Sequence, residues 1–321
     1  MAPSVHNAMA DNRPEKQTMR GLWVEEFAAA GEPSEGAPVY LTLAGAKGLD
    51  IKALAEAGLI TLSENGAIAA EDAEKIVAIE ADEEAFLQLR GAIDGLDARL
   101  GRIENLLGSE SSFSWPGNKL RPIFRAPVIN FDFDRSLIVK VKDGQLVFPQ
   151  LIWVRKVAEI QAQPPQREWC LLLTFQGEVQ WPAEVEAAVI ELLADNFQNT
   201  EGFSDLAAKL LGADAFAAIS NGGGEPRLSE LPRRTQQCIL MTLVPKKMLQ
   251  LMRGHGWRIE TKRNICYGGT GSRAPMVSFV FRFGWDEQAS TQPEVIYRDC
   301  LLGAVEEPVL IDPEGELASL L

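Results

Sequence analysis

The sequence contains no run of about eighteen apolar residues, the minimum for crossing a bilayer, so no membrane-spanning helix is expected. Residues 1–15 lack the apolar middle of a secretory signal and read as a flexible tail. Histidine is nearly missing: His6 and His255 are the two present. Cysteine is sparse as well, and Cys170, Cys238, Cys266 and Cys300 stand far apart. No zinc-ligand spacing can be built from these residues, so no metal is expected. Four separated thiols suit a reducing compartment, and a cytoplasmic location is the expectation. Internal repeats are absent. Basic residues are outnumbered 31 to 45, and a net charge of −14 argues against a polyanion partner for the chain taken whole.

What remains is ordinary globular material: 321 residues, 46 % apolar and 24 % charged, enough for one large α/β domain or two small ones. Helical spacing runs through "EKQTMRGLWVEEFAAAG", and "VYLTLAG" reads as a buried strand leading through glycines into the short helix "DIKALAEAGLI". "TLSENGAIAAED" reads as a loop or small hairpin, "KIVAIEA" as a second strand, and "DEEAFLQLRGAI" as a helix. "RIENLLG" is expected as a weak third strand and "PVINFDFD" as a strong fourth. A hairpin is expected around Asp143-Gly144, then a helix entered through Pro149, the apolar strand "EWCLLLTFQ" and a helix begun at Pro182. A second helical patch follows, then a long helix interrupted near Pro245. "WRIETKRNICY" and "MVSFVFRF" close the pattern as an antiparallel pair, and the tail beyond Gly284 holds one more strand-like piece, "EPVLID".

Strands and helices alternate five times, which implies a doubly wound, mostly parallel α/β sheet, here of seven strands, with a C-terminal antiparallel hairpin. The domain is placed at 16–283, with a helical insertion at about 197–231 and an extension over 284–321. Ligands of such sheets lie beyond the carboxyl ends of the strands, at the switch point beside the first strand.

Three strand ends carry suggestive residues. Gly45-Ala46-Lys47-Gly48 follows the first strand and is either a cofactor cradle or a plain tight turn, with Asp50 suited to the helix start behind it. Glu80, followed by Ala81, ends the second strand; it either accepts from ribose hydroxyls or matches the dipole of the next helix. It lies 32 residues beyond Gly48, against roughly 20 in the usual dinucleotide fingerprint. In the fourth strand Asn130, Asp132 and Asp134 share one face, and Phe131 and Phe133 the other. Polar side chains there need a cavity, water or partners.

Taken together, "LTLAGAKGLD", "KIVAIEADEEAF", "VINFDFD" and the closing pair resemble, in that order, the class I S-adenosylmethionine-dependent methyltransferases, over about Val39 to Phe283. The resemblance implies a Rossmann-like methyltransferase architecture with S-adenosylmethionine as cofactor. It implies that Gly45, Ala46, Gly48 and Asp50 hold the methionine moiety and that Glu80 and Ala81 meet the ribose. It places Asp132, Asn130 and Asp134 beside the transferred methyl. The glycine loop has two glycines where many members have three, and no Asn/Asp-Pro-Pro-Tyr box follows the fourth strand.

Charge bears on the acceptor. Met1 to Ser112 holds 20 acidic and 9 basic residues, whereas Arg227 to Arg282 holds 11 basic residues against Glu230 and Glu260. Arg233, Arg234, Lys246, Lys247, Tyr267 and Arg273 are candidate contacts to nucleic acid, through phosphate and base stacking. The competing readings are a protein partner, or a cationic face that balances the acidic half. The loop Trp115 to Lys119 is a candidate lid or an ordinary crossing. A methyltransferase with a nucleic-acid or protein acceptor leads; a catalytically inactive Rossmann-like binding or assembly subunit is the alternative.

Overall fold

Nine strands form one sheet in the computed structural model, which describes residues 13–107, 121–162, 168–200, 202–221, 227–268 and 274–320. The strands are β1 (Tyr40–Thr42), β2 (Ile76–Glu80), β3 (Asp97–Leu100) and β4 (Val128–Ser136). Next come β5 (Lys140–Lys142), β6 (Gln145–Val147) and β7 (Glu168–Gln176). The chain ends with β8 (Trp257–Tyr267), β9 (Met276–Trp285), β10 (Pro308–Ile311) and β11 (Leu317–Ser319). The sheet order is β11-β10-β8-β9-β7-β4-β1-β2-β3, with β5 and β6 a separate hairpin. Turning that hairpin needs left-handed backbone, and both Asp143 (φ 52°) and Gly144 (φ 74°) supply it.

All neighbours from β3 to β7 run parallel. β9 is antiparallel to both β7 and β8, which makes it the reversed strand of the expected closing hairpin. The sheet is wider than the expected seven strands. β10 adds parallel to β8, and β11 adds antiparallel to β10. The segment set apart as an extension thus continues the same sheet.

The helices are α1 (Pro14–Ala28), α2 (Leu49–Glu56), α3 (Ala70–Ala73), α4 (Glu83–Ala92), α5 (Ile103–Leu106) and α6 (Pro149–Gln161). They continue as α7 (Ala183–Asn199), α8 (Phe203–Leu211), α9 (Ala213–Ser220), α10 (Arg233–Met252), α11 (Glu287–Thr291) and α12 (Pro293–Glu306). Alternation of side chains along each strand sorts the core into two layers. Leu41, Ile129, Phe131, Leu173, Phe175 and Phe279 face one side, with helices from α5 onward. Tyr40, Val128, Leu172, Tyr267 and Val280 face the other, with α1, α2 and α4.

Four expectations need correction. Pro14 and Glu15, assigned to the tail, already belong to α1. The third strand is Asp97–Leu100, not Arg102 to Gly108; the apolar Ile103 and Leu106 are three apart and make a helical turn, while β3 is a polar edge strand without an apolar run. The stretch after Gly284 forms α11 and α12 besides its strand, with Pro293 in the first turn of α12. Finally, α10 passes through Pro245 unbroken. Proline there cannot donate to the Met241 carbonyl. The Asn264 side chain in β8 donates to it instead, at 2.8 Å.

Candidate functional site

The switch point lies between β1 and β4: from β1 the chain goes outward to β2 and β3, then returns to β4 on the other side. Register places Thr42 beside Ala78 and Asn130, so the β1 turn, Glu80 and Asp132 gather along one edge of three adjacent strands. A parallel sheet places its strand ends side by side, but the partners of these residues are less open than the sequence reading implied.

Gly45 and Gly48 both have positive φ, 60° and 53°. A side chain at Gly45 would meet open space, whereas one at Gly48 would stand 2.7 Å from Ile93 Cδ1 and 3.0 Å from Leu89 Cδ1. Gly48 is therefore glycine because α4 packs against it. Gly45 leaves room for an approaching ligand, and Ala46 shares its turn half-buried. Glu80 Oε1 accepts from the Asp82 backbone N–H at 2.9 Å, while its Oε2 makes no hydrogen bond among the described residues. Asp82 itself caps α4 by accepting from the Ala85 N–H. Ala81 is exposed.

Asp50 does not point toward a ligand at the turn. It is buried and reaches back to β1, accepting from Thr42 Oγ1 at 2.5 Å and from the Tyr40 hydroxyl at 3.0 Å. Burial raises its pKa, although those two hydrogen bonds pull the other way. Asn130 Nδ2 donates to the same Tyr40 hydroxyl at 2.8 Å. Two residues on, Asp132 pairs with Lys16 of α1 at 3.4 Å. Burial works most strongly against the Lys16 charge, but Asp132 and Tyr267 together outweigh it and hold the pKa above the ordinary lysine value. On the opposite face Phe133 stacks on Phe175, as the alternation requires. The side chain of Asp134 is outside the described residues.

The row continues past β4. Thr174 lies in register with Asp132 and with Ser278, and the Thr174 and Ser278 hydroxyls are 2.8 Å apart. At the far side stands Tyr267, fully buried, with the Lys16 ammonium 5.9 Å from its ring centroid. A polar row thus crosses β1, β4, β7 and β9 beneath the first turns of α1 and reaches Tyr267 on β8. Asp50 Oδ1, Asn130 Oδ1 and the Tyr267 hydroxyl are buried there without a hydrogen-bond partner. Such atoms cost about 1–3 kcal/mol each unless a ligand or water meets them.

Lys16, Tyr40, Thr42, Thr174 and Ser278 were not singled out from sequence. "VYLTLAG" did hold a signal, since Tyr40 and Thr42 alternate with apolar neighbours as Asn130 and Asp132 do. Lys16 had none, because nothing local says that a helix will cross the sheet.

Among the described residues, the expected nucleic-acid contacts do not form one continuous surface. Lys246 is buried, its Nζ donating to Leu192 O and Asn196 Oδ1, and burial lowers its pKa to about 8. Tyr267 is buried and has no face open for stacking. Arg234 donates to Cys266 Sγ at 2.8 Å and Lys247 to Gln250 Oε1 at 3.0 Å. Arg233 is half-exposed, 3.9 Å from Glu178. Arg273 and the Trp115 loop lie outside the described residues. Arg263 pairs with Glu25 at 2.7 Å and Arg282 with Glu26 at 3.1 Å, so α1 brings acids from the N-terminal half onto the basic strands. A cleft of about 250 Å³ opens where β7 ends and α10 begins, lined by Glu178, Ser229, Arg233 and Gln236.

None of the four cysteines is in a disulfide; all are buried, and burial pushes the Cys238 thiol up to about 12. Among the described residues no three metal-ligating side chains gather, and no helix is long and apolar enough to cross a membrane.

No protein-family model matches the chain. No curated protein matches it in sequence. Among solved structures, one from Listeria monocytogenes, provisionally assigned as a class I S-adenosylmethionine-dependent methyltransferase, superposes with a TM-score of 0.37 and 9 % identity, covering 92 % of this chain and 74 % of that one. Another, from Rhodobacter sphaeroides and provisionally assigned as a zinc-dependent alcohol dehydrogenase, gives 0.31 and 8 %, covering 85 % and 98 %. Likenesses this distant carry no argument about activity.

Proposed function

We propose that the chain binds S-adenosylmethionine at the β1–β4 switch point and is a methyltransferase. The observation that carries this reading is the convergence, at one edge of three adjacent strands, of the open turn at Gly45, the Glu80 carboxylate and the Asn130–Asp132 face. The unpartnered Asn130 Oδ1 and Tyr267 hydroxyl fit a polar ligand that enters beside β4. When bound, the cofactor supplies an electrophilic methyl on a sulfonium.

The residues do the rest by positioning. Gly45 lets backbone come close to the ligand. Glu80 Oε2 would accept from the ribose hydroxyls. Asp132 has two carboxylate oxygens, and one of them would orient an acceptor N–H or O–H at the end of β4. The cleft beside β7 lies one strand further on, where an acceptor would enter. With Lys246 and Tyr267 buried, a small-molecule or protein acceptor fits better than nucleic acid.

Calorimetry with S-adenosylmethionine tests this. Micromolar binding that weakens roughly tenfold or more in Glu80→Ala is expected, the effect of losing a charged hydrogen-bond partner. A folded protein without detectable binding would end the enzyme reading. The second reading, an inactive Rossmann-like binding subunit, is favoured by one set of facts: Gly48, Asp50 and Asp132 each already have a protein neighbour filling the place of a ligand. Binding without transfer to any acceptor would support it.

A further inference from the structure

We propose that Lys16 and Asp132 together receive the zwitterion of an α-amino acid, the carboxylate on Lys16 and the ammonium on Asp132; as the amino-acid end of the cofactor, this rests on the function proposed above. The two charges come from elements 116 residues apart and meet at 3.4 Å, with side chains only 17 % and 25 % exposed. Well-made pairs of this kind close to about 2.7–2.9 Å. A ligand carrying both charges satisfies each partner without leaving the other uncompensated.

The surroundings match both ends of such a ligand. The Tyr267 hydroxyl is buried without a partner, on the side where Lys16 stands, and is a donor for a carboxylate. Asn130 Oδ1, likewise without a partner, lies two residues before Asp132 on the same face and is an acceptor for an ammonium. The glycine turn offers less. The space beside Gly48 belongs to Ile93 and Leu89, and Asp50 is committed to Thr42 and Tyr40. The amino-acid end is therefore received by α1 and β4, and not by the turn alone.

Calorimetry on the full chain separates the possibilities with three probes: S-adenosylhomocysteine, methylthioadenosine (which lacks the amino-acid end) and free methionine. The wild type should bind S-adenosylhomocysteine roughly tenfold to a hundredfold more tightly than methylthioadenosine. Lys16→Met and Asp132→Asn should each abolish most of that ratio and leave methylthioadenosine unchanged, while Lys16→Arg keeps part of it. Circular dichroism and melting confirm that each variant is folded. An unchanged ratio in both charge-removing variants overturns the proposal and leaves the function reading standing. If neither nucleoside binds but methionine does, and Lys16→Met abolishes it, the zwitterion site stands and the function reading fails. If none of the three binds, both fail.

Discussion

Asn264 donates to the Met241 carbonyl at 2.8 Å, the bond that Pro245 cannot make from one turn further along α10. A strand side chain repairs a helix. Asn264→Ala should cost about 1–3 kcal/mol in urea unfolding, because a buried carbonyl loses its donor. Pro245→Ala restores a backbone N–H, so the double variant should recover most of that loss. Additive effects of the two changes would contradict the repair.

The two glycines of the β1 turn should separate. Gly48→Ala drives a methyl against Ile93 and Leu89 at positive φ and should cost about 1–3 kcal/mol of stability. Gly45→Ala meets open space and should cost only about 1–2 kcal/mol for its backbone conformation. Cofactor affinity should fall more for Gly45→Ala. Equal losses of affinity would remove the turn from the ligand's path.

Buried Asp50 binds its proton more tightly folded than unfolded. Its favourable contribution is fully present below the unfolded pKa, near 4, and is lost as pH rises through the folded value. Asp50→Asn keeps an oxygen for Tyr40 and Thr42 but carries no charge. The melting temperature of the variant should gain on the wild type as pH rises from about 4 to 7. Parallel curves would show that Asp50 is not titrating against burial.

Lys246 behaves in the opposite sense. Burial lowers its pKa to about 8, so its stabilising contribution is complete only above the unfolded value near 10.5 and is lost as pH falls through 8. Between pH 8 and 10 the wild type should gain stability relative to Lys246→Met, read from melting curves of the two proteins.

Polyanion binding should depend on α1. Glu25 and Glu26 neutralise Arg263 and Arg282. The wild type should not shift a single-stranded oligonucleotide at about 150 mM salt, where exposed charges are largely screened. Glu25→Gln with Glu26→Gln should add weak, salt-sensitive binding at lower ionic strength. A strong shift by the wild type would restore nucleic acid as a partner.

Much of the fold was legible because its strands are apolar runs bounded by turns. β2, β4, β7, β8 and β9, and helix α6, lie where the periodicity places them. β3 and β11 were illegible for the converse reason: they are short, largely exposed edge strands whose main strand-like property is a neighbour to pair with. The site divides in the same way. Glu80, Asn130 and Asp132 stood out because a parallel sheet puts strand ends together. The roles of Lys16, Tyr267 and Lys246 could not. Each depends on a partner dozens to hundreds of residues away, and charge counting cannot tell a solvated lysine from one enclosed by Leu192 and Asn196.

α1 brings Lys16 to the sheet, but it rests on chain made much later. Thr18 Oγ1 donates to the Gly315 carbonyl at 2.7 Å, and a side chain at Gly315 would stand 3.0 Å from Pro14 Cβ. Its inner face, Met19, Leu22, Trp23 and Phe27, packs beside Ile265, Val280 and Ile311. During synthesis α1 therefore leaves the ribosome with its apolar face uncovered and finds its full seat only after residue 315 has been added. Until then it is a ready target for a chaperone, and the order of manufacture delays completion of the site until that residue is in place.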